Sequence, residues 1–224
     1  MRTRAPRFPG SLARISLGAL GALVLLVSCA SERARRDASG AEEGFDLAAD
    51  RGPSVKTLHA MAHVLAAQGK DGECELVLNK LIGEHPSFLP AYNELSELYL
   101  RHERIDSALE VLRAGLRRDP SDPVLLNNLG MCHVLRGEYP AALEQFTAAA
   151  ARVPEDGRSR ANMAVALGML GRMDEALALY MQVLSPADAH HNLGVLLTSR
   201  GDPEGAAREY ALAEELQSRE RKRD

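Results

Sequence analysis

His59 and His63 stand four residues apart, a spacing that puts two imidazoles on one helix face, where they could share a metal ion. Ala60 occupies the place where the helical zinc-protease motif carries its glutamate, so metal-assisted peptide hydrolysis is excluded. Two ligands also leave a tetrahedral site half built. The pair therefore reads as two exposed histidines, with a structural or adventitious metal site as the competing reading; no metal and no cofactor is assigned. Glu94 and Glu97 read as a solvated helix face, and neither a Ser-His-Asp set nor a glycine-rich phosphate loop accompanies them. No catalytic residue is assigned, and enzyme activity is not expected.

The elements that carry these residues are written as a repeat. Between Pro123 and Asp156 run Leu126, Leu129, Gly130, His133, Ala142, Phe146, Ala149 and Pro154, and Pro120 and Pro86 precede Pro154 at steps of 34 residues. The unit ending at Pro120 has Tyr92, Leu95, Ser96, Tyr99, Ala108, Leu112 and Gly115 in the same places; the unit ending at Pro86 has Leu58, Met61, Ala62, Leu65, Cys74, Leu78 and Leu81. Downstream, Met163, Ala164, Leu167, Ala176, Tyr180 and Val183 form a fourth unit, and Leu193, Gly194, Leu197, Ala206, Tyr210 and Ala213 a fifth. Apolar residues at i, i+3 and i+7 predict a buried face on each first helix. Small Gly130 is expected to let the second helix approach at Ala142.

Gly69, Gly137, Gly171 and Gly201 share one place in their units, where a helix end needs a left-handed residue, and unit two has Glu103 there. Asp106, Asp174 and Asp202 with Pro203 are expected as N-cap and first-turn residues of second helices, and Pro140 as a first-turn residue. The period then breaks: Gly130 to Ala164 is 34 residues but Ala164 to Gly194 is 30. About one helical turn is missing, which predicts a shortened second helix in unit four. Cys74 stands where other units have alanine and reads as a small buried hydrophobe. Cys132 lies in a non-adjacent unit, so the two should remain separate thiols.

The ladder resembles the tetratricopeptide repeat (TPR) family, with His133 departing from its aromatic place. The resemblance implies an all-α solenoid over 55–216, in helix-turn-helix units 55–88, 89–122, 123–156, 157–186 and 187–216, with a charged tail over 217–224. It also implies protein binding in a concave groove lined by first helices, at the places held here by Lys56, His59, His63, Asn93, Glu97, Arg101, Asn127, Asn128, Met131, Arg158, Asn162, His191 and Asn192. Asparagines offer donors and acceptors suited to an extended peptide backbone. The family's chaperone-binding clamp is not matched: His59 and His63 replace its Lys and Asn, and Glu94 takes its next Asn place. The segment from Leu184 to Gly194 resembles the same part of TadD-type pilus-assembly lipoproteins, which implies a place in envelope assembly.

Arg2, Arg4, Arg7 and Arg14 precede an apolar run from Ile15 to Val27, the shape of an export signal and short for a bilayer span. The run ends Leu26-Val27-Ser28-Cys29, which resembles the bacterial lipoprotein box; residues 1–28 would be removed and Cys29 would carry the lipid. Cleavage after Ala30 is the competing reading, since Ser28 and Ala30 are small residues at the required spacing. By resemblance, Ala30 in place of the retention aspartate implies the outer membrane, facing the periplasm. Residues 29–54 are rich in Arg, Glu and Gly and poor in apolar residues, the composition of a disordered tether.

The formal charge is −4, and losing residues 1–28, with four arginines and no acid, takes it to −8. Nucleic acid is excluded as the main partner, since phosphate binding needs a clustered basic surface. After Leu216 no hydrophobic helix follows to cap unit five. Leu212 and Leu216 are therefore expected to stay partly exposed, or to bury themselves in a self-associating partner through this C-terminal end.

Overall fold

The computed structural model describes residues 52–222. The export signal, Cys29 and the tether up to residue 51 lie outside the described residues. Within them the chain is all helix: α1 (Val55–Ala67), α2 (Asp71–Glu84), α3 (Leu89–Arg101), α4 (Ile105–Leu116), α5 (Pro123–Leu135), α6 (Tyr139–Arg152), α7 (Gly157–Met169), α8 (Met173–Val183), α9 (Pro186–Ser199) and α10 (Pro203–Glu220). Each odd-numbered helix pairs with the even-numbered helix after it, and each hairpin packs on the next. No described helix is long and apolar enough to cross a membrane.

The hairpins share one turn, built by the backbone. Glu103 and the glycines at 69, 137, 171 and 201 all have positive φ. The next residue in each unit, Lys70, Arg104, Glu138, Arg172 or Asp202, donates its N–H to a carbonyl five residues back, at 2.8–2.9 Å, which satisfies a helix end without any side chain. Second helices start directly from this turn. Asp106 and Asp174 are accordingly second residues of α4 and α8 and not N-caps, a place where their charge still favours the helix dipole. Asp202 does cap α10, accepting from the Gly205 N–H at 2.8 Å. Side-chain caps otherwise sit on first helices, at Ser54, Asp122, Asp156 and Ser185.

Each hairpin closes on a small residue of the first helix. Ala62, Ser96, Ala164 and the Gly130 and Gly194 positions are buried. A Cβ on Gly130 would lie 2.5 Å from the Phe146 ring, and one on Gly194 would lie 2.6 Å from Tyr210. Gly130 thus makes room for Phe146 and not, as the spacing suggested, for Ala142, because the long side chain one turn further on reaches back over it. Ala142 is itself fully buried.

At the short unit, α8 has 11 residues against 14 in α6, and only Leu184 and Ser185 separate it from α9. Unit five accordingly opens at Pro186, one residue earlier than expected. The helix α10 continues through Glu220, so residues 217–220 of the expected tail are helical, aided by an Arg219–Glu215 ion pair at i, i+4. The thiols of Cys74 and Cys132 are free and buried, and burial pushes Cys132 up to about 12.

Tyr180 takes the Phe146 place in unit four, and its hydroxyl is buried without a partner. In unit five the equivalent Tyr210 hydroxyl meets Thr198 Oγ1 at 3.2 Å, but unit four has Gly168 where Thr198 stands. Removing an unsatisfied buried hydroxyl while keeping the ring should stabilise the protein. Tyr180→Phe is expected to gain about 1 kcal/mol in denaturant unfolding; a loss of stability would mean that the hydroxyl has a partner.

Candidate functional site

The first helices of units two to five touch one another in succession, while no pair of second helices makes contact of that extent among the described residues. The first-helix side is therefore the inner one. Glu97 shows it: the residue keeps solvent contact, yet protein surrounds its carboxyl on several sides, and the resulting desolvation, with the charge of Glu94, raises its pKa above the usual range. Both observations hold together on a concave face, where water reaches a group that neighbouring helices flank.

Along this face the polar side chains form a ladder. His59 meets Glu94 at 2.5 Å, Asn128 donates to Asn93, and Asn162 donates to Asn127 at 2.9 Å. Each rung joins residues 35 apart, one repeat plus one residue, because the successive first helices are offset by that step. Within unit two, Asn93 also donates to Glu97 at 3.0 Å. The next rung would start at Ala161, which has no polar side chain, and the ladder ends where the short unit begins.

This sorts the residues read from the sequence. Asn127 and Asn162 are only 7% and 5% exposed and one hydrogen bond joins them, so they tie unit three to unit four and present little surface to a ligand. Asn93 and Asn128 are half-buried rungs of the same kind. Lys56, His63, Glu97, Arg101 and His191 are exposed, while His59, Met131, Arg158 and Asn192 are half-buried. Arg101 reaches Asp71 at 3.5 Å, and the His191 ring tilts against Tyr210 at 5.3 Å.

The histidine pair is not a lone pair of ligands. Glu94, read from the sequence as solvated, comes from α3 to contact both rings, at 2.5 Å from His59 and 3.3 Å from His63. Spacing along one helix could not reveal a group one repeat away. The other pinning contact missed by sequence reading is Glu75, which accepts from the Tyr99 hydroxyl at 2.9 Å and from Arg104 at 2.8 Å, with the guanidinium 4.2 Å from the Tyr99 ring centre.

Desolvation is the largest single influence on Glu75 and pushes its pKa up, but the bonds from Arg104 and Tyr99 with the charge of Arg104 outweigh it, leaving the carboxyl below the ordinary range. A depressed folded-state pKa contributes stability that is present above the unfolded value and lost as pH falls through the folded one. Glu75→Gln should therefore cost about 1 kcal/mol at neutral pH, allowing for partial exposure, and progressively less in acid. Urea unfolding of both proteins across a pH series reads this directly; an equal cost at every pH would contradict it.

A model described as Tetratricopeptide repeat matches residues 59–123, 93–156 and 128–189, and a second model of the same description matches 187–211. Among curated proteins, Protein O-mannosyl-transferase TMTC1 of Homo sapiens is 29% identical over 145 residues, covering 62% of this chain and 16% of that protein. Superkiller complex protein 3 of Homo sapiens is 35% identical over 86 residues, 38% of this chain and 6% of that protein. The chain thus spans less than a fifth of either. Among solved structures, MamA 41-end from Desulfovibrio magneticus RS-1 matches with a TM-score of 0.62 at 17% identity, covering 75% of this chain and 98% of that one. YrrB, described as a TPR protein with an unusual peptide-binding site, matches with a TM-score of 0.57 at 22% identity, over 74% and 88%. At these identities the structural likeness speaks for the fold alone.

Proposed function

This chain belongs to the tetratricopeptide repeat family, whose members generally act as protein-binding scaffolds, and from that premise we propose that it is a non-enzymatic adaptor that holds a protein or peptide segment on its first-helix face. The observation that carries the reading is the set of exposed side chains of mixed charge, Lys56, Glu97, Arg101 and His191, along an inner face whose buried amides are tied to one another. The adaptor is lipid-anchored through Cys29 in the outer membrane of a bacterial envelope, facing the periplasm, and works in pilus or secretion-system assembly; the lipoprotein-box and TadD-type resemblances support that setting. YrrB's peptide-binding site, on a similar fold, supports a segment as the ligand.

A second reading, a self-associating tether, has its own observation. Ala91, Leu95 and Leu98 form a stripe buried against unit one, and the equivalent stripes in units three and five are buried as well. In unit one the stripe is Thr57, Met61 and Val64, and it is open, with Met61 50% and Val64 54% exposed. At the other end Leu212 is 38% exposed and Leu216 half-buried. Two unlike apolar ends on one molecule are the geometry of head-to-tail association.

Capture from envelope detergent extracts followed by mass spectrometry, with light scattering on the same proteins, separates the two readings. Lys56→Glu with Arg101→Glu and His191→Glu should abolish partner recovery at unchanged helix content. Leu212→Glu with Leu216→Glu should leave recovery intact for an adaptor, and should turn an oligomer into a monomer for a tether. Recovery that survives the first variant alongside an oligomer lost in the second would overturn the adaptor reading. Separately, Cys29→Ser is expected to release the protein from membrane fractions or leave its signal uncut; unaltered partition and processing would remove the anchor.

A further inference from the structure

We propose that His59, His63 and Glu94 form a binding site for a divalent ion of the zinc class, joining unit one to unit two on the first-helix face. The proposal is independent of what the groove binds. His59 Nε2 and His63 Nε2 lie 3.1 Å apart, and Glu94 Oε1 lies 3.3 Å from His63 and 2.5 Å from His59. Ligand atoms held ~2.0–2.1 Å from a tetrahedral zinc ion stand ~3.3 Å from one another. Two edges of the triangle already have that length. The third is at hydrogen-bond distance and needs only a small rotation of the carboxylate to open.

Hydrogen-bond accounting points the same way. A ring nitrogen either carries a proton or presents a lone pair, never both. If His59 Nε2 donates its proton to Glu94, it has no lone pair for His63. His63 Nε2 then sets a second N–H against it, or aims a lone pair at the carboxylate. Each assignment leaves one of three close contacts repulsive. A cation at the centre accepts all three lone pairs together, with both rings protonated on Nδ1.

The surroundings fit an ion-holding role. The His59 ring meets Phe88 edge-on, with centroids 5.0 Å apart, and meets His63 at 4.4 Å, which limits its rotation. The other paired histidines, His102 with Asp71, His133 with Glu138 and His190 with Glu209, each bring a single imidazole to a single carboxylate, and among the described residues His59, His63 and Glu94 are the one group of three convergent metal-ligand types. Two imidazoles and one carboxylate suit zinc, nickel or copper rather than calcium or magnesium, which prefer oxygen ligands. The side chains remain 28%, 62% and 22% exposed, so an ion has a path in. Three protein ligands leave a fourth position for water or for a donor on a bound segment.

The test uses the full chain in detergent, stripped with chelator and titrated with zinc by calorimetry, and with cobalt(II) by absorption. One equivalent should bind, the cobalt spectrum should lack thiolate charge-transfer bands, and zinc should raise the melting temperature. His63→Gln and Glu94→Gln should each weaken zinc binding more than ~10-fold, the lower range for losing even an outer-shell partner, and should abolish the zinc-induced rise. His102→Gln and His190→Gln, judged folded by circular dichroism, should bind as the wild type does. Absence of zinc binding, unchanged affinity in His63→Gln and Glu94→Gln, or a thiolate-type cobalt spectrum would overturn the proposal.

Discussion

The contact on which the rest of the structure depends is that of a small residue on each first helix against a large one on the second. Where that residue is glycine, as at 130 and 194, an aromatic ring occupies the volume a Cβ would take. Because the pairing recurs in each unit, the hairpins have similar crossings and stack with their first helices on one side. That stacking produces the inner face, the offset of 35 residues between rungs, and the exposed stripes at both ends. A hairpin alone cannot bury its second stripe; only a neighbour can.

How much could be read in advance follows from which interactions are local. The small residues, the left-handed turn positions and the missing turn before Pro186 are all written within a single unit, and the structure has them in those places. Glu103, with φ of 57°, keeps the turn without a glycine, so register mattered more than residue type. The contacts that define the candidate site are of another kind. His59 to Glu94 and Asn127 to Asn162 each depend on the angular offset between consecutive hairpins, which no pattern of apolar residues encodes. Asparagines read as ligands for a peptide backbone also bond each other from unit to unit.

Burial also separates two uses of polar residues that composition cannot. Asn127, Asn162 and Ser159 are buried polar groups that join neighbouring units, with Ser159 Oγ 3.5 Å from Asn127 Oδ1. Such groups favour one stacking register over others, because a slip would leave an amide unpaired in the interior. Glu97, by contrast, keeps solvent contact while its carboxyl is disfavoured as an anion. A ligand that donates hydrogen bonds there would relieve a cost already present in the free protein.

The end of the side-chain ladder at Ala161 divides the array energetically. Units one to four are linked by apolar contacts and by side-chain rungs, whereas unit five meets unit four across a two-residue junction, through apolar contacts such as Leu196 on Gly168 and a hydrogen bond from Arg200 to the Met169 carbonyl. In a linear array, stability is a sum of neighbour terms, and opening proceeds from the end whose last term is smallest. The junction between units four and five is therefore a neighbour term built differently from the others, without a side-chain rung to fix the stacking of its hairpin.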